Sequence, residues 1–170
     1  MPRLLFEKTG DAIWMSHLDL MRLFQRGFKR AGLPLKHTQG YNPRPSVSIA
    51  LPMSVGVSSH CELLDFDLDG CDASNEEILS KLSGCLVGGV KCLAVYDGGR
   101  KLRELSFLKC RITLEYTVVP CGAVEAISAL FGRNELIVAK KTKNGLQQQD
   151  ILPMIRHIDI HPADGGIIMD

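Results

Sequence analysis

Residues 3–34 run RLLFEKTGDAIWMSHLDLMRLFQRGFKRAGLP, and the change of period inside this stretch decides the fold. Over Arg3 to Lys8, Leu4 and Phe6 alternate with polar neighbours, the two-residue period of a half-buried strand. Thr9-Gly10-Asp11 then turns the chain. Ser16 stands three residues before Asp19, a capping-box spacing with Asp in place of the stronger Glu. Leu18, Met21, Phe24 and Phe28 follow at intervals of three and four, the stripe of an amphipathic helix, and Gly32 and Pro34 stop it.

Outward from this strand and helix, Leu35 to Thr38 reads as a short strand and Gln39 to Pro45 as a turn-rich loop, with Ser46 to Ala50 extended again. Cys61 to Leu68 alternates as a further strand. A second helix opens at the Ser74-Asn75-Glu76-Glu77 box, carries Ile78, Leu79 and Leu82, and ends at Gly84, and Val90 to Val95 is an apolar strand. The order strand, helix, strand, strand, helix, strand predicts an α+β fold: a ferredoxin-like antiparallel sheet with its helices on one face. Asp97-Gly98-Gly99-Arg100-Lys101 interrupts the apolar pattern, which predicts a ferredoxin-like unit over 1–98 and a second partial unit of the same kind over 99–170, incomplete at its C-terminus. In that second half Lys109 to Val119 alternates as a long strand. Ala123 to Phe131 reads as a short helix, Leu136 to Ala139 as apolar, Lys143-Asn144-Gly145 as a hairpin turn, and Ile155, Ile158 and Ile160 as marks of another strand. The final Gly166-Ile167-Ile168-Met169-Asp170 is strand-like, which predicts local pairing or a trimmed end.

At 170 residues, with 45% hydrophobic and 23% charged content, the chain can bury a core and is not expected to be disordered. No run approaches the roughly 18 apolar residues that a membrane span needs, and the start lacks the apolar centre of a signal peptide. The chain is expected in the cytoplasm. Six cysteines without a C-x-x-C pair, most among apolar neighbours, read as reduced, buried small hydrophobes. The net charge of +1 hides an asymmetry. Residues 1–50 hold eight Lys/Arg against three Asp/Glu, residues 51–100 three against eight, and the rest nine against eight. A basic first third can meet phosphate; two solvated faces that neutralise each other account for it equally.

Arg22, Arg26 and Lys29 or Arg30 recur at helical spacing opposite the apolar stripe and predict a basic ridge. The loop adds Tyr41 for stacking, Asn42 for base edges and Arg44 for phosphate, and Lys36 and His37 adjoin it. Together they form a candidate nucleic-acid surface; a solvated helix face beside a Pro-rich loop is the plain alternative. His17, just after the helix cap, is a candidate neutral base or phosphate contact, with Asp19 beside it. His157, Asp159 and His161 would share one face of a strand and are a weak candidate metal set, the wet side of that strand being the ordinary account. No nucleophilic triad and no Gly-rich phosphate loop is present, so neither an enzyme nor a cofactor is the first expectation.

The runs Lys8 to Ala12, Ser16 to Arg22, Phe24 to Arg26, Arg30 to Pro34, Gln39 to Pro43 and Leu51-Pro52 resemble the opening of the bacterial radical-SAM-linked domain of unknown function. The resemblance is specific over residues 3–70, and Asp150 before Ile151-Leu152-Pro153 extends it. Arg44 departs from it, standing where that family often has His. The resemblance implies a partner, a cobalamin-binding radical SAM enzyme to which such domains are fused or beside which they occur. This chain itself lacks the C-x3-C-x2-C spacing of such an enzyme, and Asp159 to Asp164 only approaches a cobalamin pattern, with Asp164 at the glycine position. The expectation is therefore an accessory domain that binds RNA, tRNA or rRNA, for a radical SAM modifying enzyme. The alternative is a protein-interaction domain that docks on the enzyme without touching nucleic acid, and a lesser one a small hydrolase or nuclease using His17 with Asp19 or Arg22.

Overall fold

The computed structural model describes residues 1–51, 53–143 and 145–170, and the chain is α+β. It folds as two compact units, Met1–Ser106 and Phe107–Asp170. Pro52 of the Leu51-Pro52 pair and Asn144 of the expected hairpin turn lie outside the described residues.

The first unit carries β1 (Pro2–Lys8), α1 (His17–Arg30), β2 (Val47–Ile49), β3 (Ser59–Phe66), α2 (Asn75–Ser83) and β4 (Val90–Asp97). Its sheet has the order β2-β3-β1-β4 with every neighbouring pair antiparallel. Each helix therefore links two strands separated by a third, the split βαβ of a ferredoxin-like unit. One face of β1 presents Leu4 and Phe6, both fully buried, and α1 and α2 pack there. Phe6 meets Phe24 edge to face at 4.7 Å and Phe28 meets Phe66 at 4.8 Å, so α1 is held to the two central strands by paired rings. Gly27 lets the helices approach: a side chain there would meet Leu86 at 3.0 Å and Leu82 at 3.4 Å. The helix starts as its sequence dictates, Ser16 Oγ accepting the Asp19 amide at 3.2 Å. Ser74 caps α2 in the same way through the Glu77 amide.

On the opposite face of the sheet Arg3 and Asp65 form a two-pronged pair at 2.6 and 3.0 Å, largely buried, and Asp65 holds the guanidinium above its ordinary pKa. Arg3 also donates to the Arg100 carbonyl, and the Gly98 amide to that of Met1, so residues 98–100 stay with this unit. Lys8 is 1% exposed, its ammonium donating to the Met15 carbonyl at 3.1 Å and tying the end of β1 to the start of α1. The expected strand over Leu35 to Thr38 is reduced to two isolated bridges, Leu35 to Leu68 and His37 to Pro45. The Lys36 amide turns to the Asp67 carbonyl and the Arg44 amide to the Thr38 hydroxyl, so the reciprocal bonds of a ladder do not form on either side of the second bridge.

The second unit carries β5 (Ile112–Glu115), α3 (Ala123–Phe131), β6 (Ile137–Thr142), β7 (Gly145–Asp150), β8 (Ile160–Ala163) and β9 (Gly166–Met169). It does not repeat the ferredoxin-like order. A three-stranded sheet β5-β9-β8 stands apart from the β6-β7 hairpin, and the unit's one helix packs against β8. The long strand expected over Lys109 to Val119 is limited to four residues because its partner β9 has only four to offer. The strand expected around Ile155 and Ile158 begins only at Ile160; Leu152–Met154 is a single tight turn with Pro153 inside it. Gln147 to Gln149, polar throughout, gave no period, yet they pair with β6. The final strand pairs with both β5 and β8. The cysteines correct another expectation: only Cys92 is buried, Cys71 and Cys85 are partly covered, and Cys61, Cys110 and Cys121 are exposed free thiols. Burial pushes the Cys92 thiol up to about 11. Among the described residues no helix is long and apolar enough to cross a membrane.

Candidate functional site

The exposed side of α1 carries Arg22, Arg26, Lys29 and Arg30, and the chain leaving it doubles back through residues 32–45. Between helix and returning segment lies a groove of about 700 Å³. Gln25, Arg26 and Lys29 form its helical wall, and Leu33, Pro34, Leu35 and Pro45 its apolar floor, with His37 at its edge. The segment is held rigidly: the Lys36 amide donates to the Asp67 carbonyl at 2.9 Å, and the Ser46 amide to that of Lys36 at 2.7 Å. Beyond it the Thr38 amide donates to the Arg44 carbonyl at 2.8 Å, and the Arg44 amide to Thr38 Oγ1 at 3.0 Å. That closes a loop with Tyr41 and Asn42 at its tip, Tyr41 fully exposed.

The ridge is not uniform in charge. Arg22 donates to Asp19 at 3.3 Å, and Asp19 also accepts the Ser16 hydroxyl at 2.7 Å. The hydroxyl first, then Arg22, holds the Asp19 carboxyl below the usual carboxylate range. A second hollow of about 350 Å³ lies on this flank, with Asp19, Arg22, Arg26 and Arg30 around it. Arg30 donates to the Cys85 carbonyl and so binds α1 to the end of α2. Among the described residues Arg26, Lys29, Lys36 and Arg44 have no carboxylate within 4.0 Å. On this face of the first unit they are cations left open to a ligand.

The structure thus brings Arg26, Lys29 and His37 around one groove, puts Arg22 on the neighbouring hollow, and carries Tyr41, Asn42 and Arg44 on the loop that rises from the groove's far wall. Lys36 is exposed on the same segment but does not line the groove, because alternate residues Leu35 and His37 turn into it. His17 opens α1, while Asp19 is engaged by Ser16 and Arg22 rather than by His17. Sequence reasoning missed the floor. The sequence marks Pro34 as a helix stop and Pro45 as a loop residue, and the signal available for the floor is the short apolar Leu33-Pro34-Leu35 run. An exposed apolar cluster at the start of α1 has no such signal: Trp14 and Leu18 are 67% and 65% exposed, and Val55 and Val57 stand out beside Gly56, whose amide donates to the Ile13 carbonyl at 2.9 Å.

In the second unit His157 and Asp159 pair at 3.0 Å ahead of β8, and His161 lies on β8 opposite Ile168. Among the described residues no three His, Cys, Asp or Glu side chains converge as a metal site. A shallower pocket of about 470 Å³ gathers Arg133, Asn134, Arg156 and His157, with the Arg156 guanidinium 5.0 Å above the Phe107 ring.

A family model described as an uncharacterized protein conserved in bacteria, DUF2344, matches residues 2–169. The chain belongs to this family. No curated protein and no solved structure matches it. The DUF2344 match covers both units, so the basic groove of the first and the open sheet of the second are parts of one family domain.

Proposed function

We propose that this DUF2344 chain is an accessory module that recognises RNA and presents it to a partner enzyme, a radical SAM protein on the resemblance carried by residues 3–70. The observation that carries the proposal is the groove along α1, where unpaired Arg26 and Lys29 face an apolar floor and a loop with Tyr41 at its tip rises alongside. Cations free of carboxylates attract phosphate, and apolar or aromatic surface beside them tolerates bases of any sequence. The acidic second third of the chain makes that attraction directional rather than global.

The test is fluorescence anisotropy of the chain with labelled structured and single-stranded RNA across a salt series, comparing the natural sequence with an Arg26→Ala, Lys29→Ala, Arg44→Ala variant. Expected is salt-sensitive binding that the variant loses, with a slope shallower by about one per phosphate contact removed. No binding at low salt would sink the proposal. A second reading, docking on the partner enzyme, is favoured by Trp14, Leu18, Val55 and Val57, which expose apolar surface that water solvates poorly. Substituting Trp14 by Ser separates the two, because it should abolish a protein complex and leave RNA affinity unchanged.

A further inference from the structure

We propose that the groove between α1 and residues 32–45 takes up a single unstacked nucleotide, its base on the apolar floor and its phosphate between Arg26 and Lys29. This rests on the RNA-recognition proposal and names the unit recognised. The volume, about 700 Å³, falls in the range of small-molecule sites and leaves room for a base and its sugar. The floor of Leu33, Pro34, Leu35 and Pro45 has no use for a bare phosphate; it suits a flat ring removed from water. Arg26 and Lys29 stand three residues apart on one helix face at the same wall, which sets two cations side by side at the polar edge. The Gln25 amide and the His37 ring add the donors and acceptors that a base edge requires.

Two other places in the unit fit a nucleotide less well. The outer sheet face, which an RNA platform of this topology would offer, is occupied over β1 and β3 by the Arg3–Asp65 pair, and the Arg100 carbonyl is already bound to it. The neighbouring hollow has half the volume, and two of its three arginines are already engaged, Arg22 by Asp19 and Arg30 by the Cys85 carbonyl. A base within a duplex cannot reach a concave floor, so the groove selects unpaired strands or loop nucleotides.

The experiment titrates the full chain with AMP, UMP and inorganic phosphate, followed by amide NMR shifts, and with a labelled single-stranded RNA decamer by anisotropy. Two variants are compared. Gln25→Trp fills the groove from the helix surface and keeps every charge; Lys29→Glu, at an exposed site, reverses one wall and serves where the tryptophan disturbs folding. Expected are shifts at Gln25, Leu35 and His37 with both mononucleotides, and phosphate binding about tenfold weaker or less. Gln25→Trp should lose the mononucleotides and weaken the decamer about tenfold at an unchanged salt slope. Phosphate binding as tightly as AMP reduces the groove to an anion site and overturns the inference. Decamer binding that Gln25→Trp and Lys29→Glu both leave intact overturns it as well, while RNA recognition elsewhere on the chain stands. Mononucleotide binding without RNA binding keeps the nucleotide groove and overturns the RNA proposal; silence from every probe overturns both.

Discussion

The two units bury their side chains to very different depths. In the first, Leu4, Phe6, Phe24, Phe28, Leu64, Phe66 and Leu82 are wholly removed from water and form one connected core. In the second, α3 buries none of its residues and Ile167 is the one buried apolar side chain among the described residues. Phe107, Leu108, Val118, Leu146 and Met154 are exposed there. Both units are rich in apolar residues, so composition is not the difference. What differs is the arrangement. A split βαβ sheet with two helices on one face gives its apolar strand residues a helix to meet, whereas two small sheets with one short helix, packed against β8, leave most of theirs uncovered. The first unit supplies a rigid base for the groove, and the second holds together largely through backbone ladders.

Substitutions test this contrast directly. The largest effect is expected from Phe66→Ala, which empties a site packed against Phe28 and should cost about 4 kcal/mol in denaturant unfolding. Cys92, its thiol pushed up to about 11 by burial, serves as the reporter: it should resist alkylation in the folded chain and become reactive as this unit opens, while Cys61, Cys110 and Cys121 react from the start. Asp65→Asn should cost about 3 kcal/mol, because it leaves the Arg3 guanidinium buried without its partner; a cost below 1 kcal/mol would mean that water reaches the pair. Ile167→Ala in the second unit should cost only about 2 kcal/mol, since its cross-strand neighbours Leu114 and Pro162 are themselves half-buried and exposed and can close over the gap. A cost equal to that of Phe66→Ala would erase the contrast between the units.

The smallest effects concern charge, with one group in each unit. The Ser16 hydroxyl, then Arg22, holds Asp19 below the usual carboxylate range, and Arg111, which grips both carboxylate oxygens at 2.7 Å, does the same for Asp170. Their folded pKa values are depressed. The stability they contribute is therefore present above the ordinary carboxylate value and is lost as pH falls through the lowered folded values. Side-chain carboxyl titration by NMR should show Ser16→Ala raising Asp19 alone and Arg111→Ala raising Asp170 alone. A joint shift would reveal a coupling that the separate contacts do not contain.

The first unit was legible because local signals agree with the global fold. Ser16 and Ser74 start the two helices where their hydroxyls reach the third amide onward, and the alternation of Leu4 and Phe6 places β1 before any partner is known. The second unit was legible in its helix, Ala123–Phe131, and much less in its strands. Lys109 to Val119 alternates over its whole length, yet a strand persists only where a partner supplies hydrogen bonds, and β9 supplies four residues. Gln147 to Gln149 have no apolar period, so their pairing with β6 follows from the hairpin, not from their own side chains. The candidate site was half legible. The helical spacing of Arg22, Arg26 and Lys29 exposes the ridge, and Asp19, three residues before Arg22 on the same helix, is a local signal that Arg22 is paired. The turn of Pro45 toward the helix arises from contacts between residues more distant in sequence.

By itself, then, the sequence determined the βαββαβ order of the first unit, the caps of both its helices and the basic ridge on α1, because period, cap and charge spacing are local properties of the chain. The tertiary structure alone decided which prolines line the groove and how short the strands of the second unit are. Those outcomes depend on partners that the chain meets only after it has folded back on itself.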